Sequence, residues 1–178
     1  IIAAGRGFAT HPHNNMEIIT YVISGTLRHR DNMGHERTLE AGQIQAMSAG
    51  SGVEHSEFNA SPNHPCHLLQ IWIVPSKEGV KPEYQQISFG ERLKNNLCLV
   101  ASGAGEEGVI SLYQDAKMYV ADMSTGLGLS HTLAAGRGAW LHVATGQVKL
   151  GDELLSAGDG VAIQDEKLIK FIATSDSK

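Results

Sequence analysis

Two histidines bracket a proline in THPHNNMEIITYVISG, residues 10–25. In an extended chain, side chains two apart point to the same side, so His11 and His13 form a compact two-nitrogen unit. Pro12 between them has no amide hydrogen to give to a ladder, which suits a strand start or an edge. Alone, such a pair is more readily an ordinary surface feature than a metal site, since short histidine pairs are common on surfaces. A second unit of the same shape lies in GSGVEHSEFN, residues 50–59, where His55 and Glu57 are again two apart. If the two strands face each other inside a barrel, three imidazoles and one carboxylate converge. Three nitrogens and one oxygen, with open positions left over, suit a borderline divalent ion such as Fe(II), Mn(II), Ni(II), Cu(II) or Zn(II).

Strands are what must position these residues. MEIITYVISG, LLQIWIV, AWLHVATGQVKL and GVAIQDEKLIKFIA are β-branched and aromatic runs closed by turn formers. In HLLQIWIV, His67, Leu69, Ile71 and Ile73 share one face and Leu68, Gln70 and Trp72 the other, with nothing to say which looks inward. No stretch carries a long helical stripe; the best helix candidate is short, FGERLKNN over Phe89 to Asn96. Twenty glycines fit many tight turns. An internal repeat is visible. YVISGTL and LEAGQIQAM in the first half correspond to HVATGQVKL and LSAGDGVAI in the second. Each copy places a turn glycine (Gly25, Gly146) before a strand and a second glycine (Gly42, Gly158) before the next. Two similar β-units are expected, 1–90 and 91–178, with the boundary between about Ile87 and Val100.

The two halves of the candidate site resemble the cupin superfamily. Gly5, His11-x-His13 and Gly25 read as the first cupin motif, and Gly52, His55 and Asn59 as the second. The detail is similar to the pirin family of cupins: THPHNNMEIITYVISGTLRHRDNMGHE, then QIQAMSAGSGVEHSEFN and LLQIWIVP, with the likeness running through the second repeat to about Asp176. The resemblance implies an all-β bicupin of two jelly-roll barrels, shortened at the N-terminus and just short of a final strand. It also implies a metal held by His11, His13, His55 and Glu57 in the first barrel. Many cupins take their glutamate four residues after the second histidine of the pair. Ile18 stands there, and Glu17, one step out of phase, turns to the other face of the strand. Glu57 matches the pirin position, and Glu17 is left as a surface or supporting carboxylate.

The same resemblance implies quercetin 2,3-dioxygenase activity. One divalent transition metal would be the cofactor, Fe(II) first, with Zn, Ni, Cu, Mn or Co as alternatives. A flavonol-like substrate and O2 would be the partners, and Glu57 both ligand and base. The rival reading is a metal-dependent regulator that binds another protein; an unrelated cupin isomerase or sugar binder is a third. Phe8, Ile18, Met47 and Trp72 are candidate apolar walls. Glu54 is expected to point away from the site. His29 and His35 flank a DNMG turn and read as solvated, as does His64 in its loop. His67 reads as a buried or supporting residue, and Met16, Met33 and Met47 as gap fillers. The second repeat offers His131 and His142 with no carboxylate at matching spacing, so a metal-free barrel is expected.

Bulk properties narrow the class. The 178 residues carry a net charge of -5 with no long run of one sign, which disfavours nucleic acid or an anionic membrane as partner. No segment reaches the ~20 apolar residues of a membrane span. The start at Ile1, with no basic flank before an apolar run, does not resemble a signal peptide. Cys66 and Cys98 are not in a CxxC, so a disulfide framework is not expected and a reducing, cytoplasmic setting is.

Overall fold

The computed structural model describes all 178 residues, and strands make up its regular structure apart from one short 3-10 turn. The chain divides into two units: residues 1–90 with 99–118, and residues 91–98 with 119–178. Residues 99–118 thus pack with the first unit, beyond the boundary that the repeat suggests. The expected helix is reduced to a 3-10 turn, Gly90–Leu93, with Leu93 buried. No helix is long and apolar enough to cross a membrane.

Residues 1–90 of the first unit form two four-stranded sheets. Its strands are β1 (Gly7–His13), β2 (Glu17–Ser24), β3 (Thr26–Asp31), β4 (Glu36–Glu40), β5 (Gln43–Ser48), β6 (Val53–Asn59), β7 (His67–Ile73) and β8 (Glu83–Ser88). One sheet has the order β1-β6-β3-β4 and the other β7-β2-β5-β8, all pairs antiparallel. Apolar side chains from both sheets fill the space between them. Val22 and Leu68 from one meet Leu27 and Leu39 from the other, with Ile2 and Cys66. Ile18, Met47 and Ala49 meet Val53, with Met16 and Met33 against them. This is the jelly-roll arrangement.

β2 is buried along almost its whole length, which alternation alone does not require. At its Glu17 end the cover comes from residues 111–113 of the same unit. The Tyr113 amide donates to Glu17 Oε2 at 3.3 Å, and the Ser111 amide to Gln85 Oε1 at 2.9 Å. Glu17 is therefore a buried carboxylate on the face opposite Ile18, held also by Ser48 Oγ at 2.9 Å, rather than a surface group.

The second unit repeats the topology. Its sheet runs Gly128–Thr132, Leu168–Ala173, Gln147–Leu150, Glu153–Ser156, the counterpart of β1-β6-β3-β4, and Ala139–His142 pairs with Gly160–Ile163 as β2 pairs with β5. The register makes the copies comparable residue by residue. His11 faces His55 and Glu57 faces His29 in the first unit. His131 faces Ile169 and Phe171 faces Leu150 in the second. Ile169 and Phe171 are buried in an apolar core with Val148 and Ala173. Both copies turn on a left-handed glycine, Gly25 (φ +84°) and Gly146 (φ +79°), each pressed against a neighbouring backbone.

Candidate metal centre

β1 and β6 lie side by side, and their register sets His11 directly opposite His55. Because side chains alternate, His13 shares the face of His11, and Glu57 that of His55. One ring nitrogen from each of His11, His13 and His55 lies within 4.8 Å of the other two. Nε2 of His11 and Nε2 of His55 are 3.2 Å apart. His11 Nδ1 lies 2.7 Å from the Ala9 carbonyl. A carbonyl can only accept, so Nδ1 carries the proton and Nε2 presents its lone pair inward, the arrangement of a metal-ligating imidazole.

Burial, followed by the neighbouring imidazoles, pushes His55 down to about 3. Burial and then the charge of His11 push His13 down as well. Both are neutral at pH 7, the form in which imidazole binds a cation. Glu57 is buried, and burial pushes its carboxyl up; hydrogen bonds from Gln70 and Gln45 and the proximity of His29 oppose that rise.

Those two amides are the site's main supports. Gln70 Nε2 donates to Glu57 Oε2 and Gln45 Nε2 to Oε1, each at 2.7 Å. The amide oxygens are occupied in turn: Trp72 Nε1 donates to Gln70 Oε1 at 3.1 Å, and the Tyr84 hydroxyl lies 3.0 Å from Gln45 Oε1. Each amide therefore has its NH2 group fixed toward the carboxylate. The contact also settles the strand left undecided above: Leu68, Gln70 and Trp72 form the inward face of β7.

The structure corrects the reading of His29. It is fully buried, not solvated. Its Nε2 lies 3.0 Å from Asp31 Oδ2, and Asp31 also takes His35 Nδ1 at 2.9 Å. One ligand atom each from His29, His55 and Glu57 lies within 4.8 Å of the others, a second cluster that shares His55 with the first. The signal was present in TLRHRD: Leu27, His29 and Asp31 alternate with two arginines, which puts the histidine on the buried face. His35 is about one-third exposed and stacks on Tyr84. His64 and Glu54 are exposed, and His67 is half-buried. In the second unit His131 packs on the Tyr119 ring and His142 is half-buried.

The centre opens on a cleft of about 600 Å³ lined by His13, Asn14, Met16, Asn32, Val53 and Glu54 among others. Trp72, half-exposed, sets its ring edge-on to His13. Phe8 is also half-exposed, whereas Ile18 and Met47 lie buried behind Met16 and Val53. Of the four expected walls, those two do not reach the surface.

The donor set fits a divalent cation. Its donors fall in two groups that share His55: His11, His13 and His55 present ring nitrogens within 4.8 Å of one another, and the buried Glu57 carboxylate, which no Lys or Arg is seen to neutralise, groups with His55 and His29 rather than with His11 and His13.

The family model described as Pirin matches residues 1–73, and that described as Quercetinase C-terminal cupin domain matches residues 99–178. A quercetin 2,3-dioxygenase of Escherichia coli is 41% identical over 178 residues, covering 100% of this chain and 76% of that one. A pirin-like protein of Caulobacter vibrioides is 35% identical, covering 99% and 77%. The crystal structure of the bacterial pirin YhhW of Escherichia coli in complex with nickel(II) superposes with a TM-score of 0.90 at 41% identity, over 98% of this chain and 74% of that one.

Proposed function

Because the chain belongs to the pirin family, we propose that it is a dioxygenase that opens the flavonol ring of quercetin-like substrates with O2, and that His11, His13, His55 and Glu57 hold its metal. The observation that carries this reading is the three-imidazole cluster of His11, His13 and His55, with the buried Glu57 carboxylate, clamped by two amides, grouped against its shared member His55. A divalent ion bound there supplies Lewis acidity to a substrate oxygen and a path for electrons to dioxygen.

The protein's own part is positional and acid–base. Burial raises the Glu57 carboxyl above its ordinary value, the direction that makes a carboxylate a better proton acceptor. Glu57 thus accepts the proton of the flavonol 3-hydroxyl, and Gln45 and Gln70 keep its oxygens in place as the charge changes. The cleft beside His13 has the volume of a small-molecule site. Met16 and Val53 offer it apolar wall, and Asn14, Asn32 and Glu54 offer polar groups to ring hydroxyls. The second unit, with Ile169, Phe171 and Leu150 at the positions of His55, Glu57 and His29, is packed with apolar side chains and offers no donor at those three positions.

The test is oxygen uptake by Fe(II)-loaded protein on adding quercetin. Uptake matched by carbon monoxide release, and lost in Glu57→Gln while metal content persists, is the expected result. No uptake by protein carrying one metal per chain overturns the quercetinase reading and leaves the binding one.

A further inference from the structure

The four-ligand reading leaves His29 unexplained. Its imidazole is fully buried, with Nε2 tied to Asp31 at 3.0 Å. Asp31 accepts, so Nε2 carries the proton and Nδ1 is the bare nitrogen. That Nδ1 is buried and has no hydrogen-bond partner, as is His55 Nδ1. A buried acceptor left unmatched is costly and calls for a reason. A ring nitrogen backed by a carboxylate, with the other nitrogen free, is the form in which proteins present histidine to a metal.

Position supplies the rest. His29 pairs across β3 and β6 with Glu57, and its ring centre is 5.3 Å from that of His55. The fold does not require an imidazole here, since Leu150 holds the matching place opposite Phe171 in the second unit. The two clusters, His11–His13–His55 and His29–His55–Glu57, share one residue.

We propose that His29 is a fifth protein donor of this centre: its Nδ1 takes the ion when Glu57 withdraws from it. This rests on the metal site proposed above and extends it.

The experiment loads Co(II) into the intact protein, Glu57→Gln, and Glu57→Gln combined with His29→Gln. It counts the hyperfine-shifted exchangeable imidazole N–H resonances by proton NMR and measures Co(II) affinity by chelator competition. Glu57→Ser serves as a second carboxylate-free variant should Glu57→Gln not give a cooperative melt. The expected result is one further N–H resonance in the Glu57 variant relative to the intact protein, shielded from exchange by Asp31. In the double variant it disappears, with a ten- to hundredfold loss of affinity. An unchanged resonance count on removing Glu57 overturns the fifth-donor inference while leaving the four-ligand site standing. Failure of the intact protein to bind Co(II) overturns both.

Discussion

Gln70→Leu tests whether the amide clamp is what makes Glu57 a usable ligand. The lost contact is a 2.7 Å hydrogen bond to a carboxylate that is 2% exposed. Such a bond to an ionised group contributes about 1.5–3 kcal/mol. Leucine fills similar volume and donates nothing, so that energy is withdrawn from the ionised form of Glu57 alone. Burial already pushes this carboxyl up, so loss of an opposing hydrogen bond drives it higher. A protonated carboxylic acid does not bind a cation, and the proton and the metal compete for the same oxygens. At about 1.4 kcal/mol per decade, the loss of Ni(II) or Co(II) affinity is at most about ten- to a hundredfold, reached where Glu57 is protonated in the parent as well. The loss shrinks as pH rises and Glu57 ionises regardless. The assay is chelator competition between pH 6 and 9, with a thermal melt to show that the barrel survives. Trp72 loses its acceptor as well, but at 54% exposure its indole N–H can turn to solvent. Affinity unchanged across that range, in a protein with an unchanged melt, refutes the argument that the Gln70 amide sustains the ligand.

Other outcomes follow from the buried groups and the turns. Asp31→Asn is expected to destabilise the protein by about 1.5–3 kcal/mol at pH 7. Burial alone would raise Asp31, but hydrogen bonds from His29 and His35 outweigh it and hold the carboxyl below its ordinary 3.8. Its contribution is therefore present above that value and lost as pH falls through the folded-state value, so denaturation curves of variant and parent converge below about pH 4. Glu17 carries the opposite sign: burial pushes it up against Ser48 and Tyr113, so it favours folding below its ordinary 4.5 and loses that contribution as pH rises through the folded-state value. Glu17→Gln removes that loss, giving a protein at least as stable as the parent at pH 7 with unchanged metal affinity, by urea denaturation and metal competition. Gly25→Ala puts a Cβ at φ +84°, 2.7 Å from the Pro65 carbonyl. A drop in melting temperature from a cost of at least about 1–2 kcal/mol is expected, and no drop refutes the close approach.

What could be read in advance, and what could not, divides on a physical line. Period-two spacing along one strand is a local property. It set His11 with His13 and His55 with Glu57, turned Glu17 away, and exposed the repeat through Gly25 and Gly146, whose left-handed backbone is also local. The resemblance to pirins supplied the rest of the ligand set. The partners of those residues come from other strands. That Gln70 of β7 and Gln45 of β5 reach one carboxylate depends on how two sheets face each other, a relation no window of sequence carries. The same holds for Glu17, buried because residues 111–113 return over its sheet. His29 was misread for a related reason. A histidine beside a polar turn looks solvated until Asp31, His35 and the neighbouring β6 enclose it. The sequence by itself determined which side chains could bind a metal and on which face each stands. Only the tertiary structure decided which of them are desolvated, and desolvation is what turns a polar side chain into a ligand or a base.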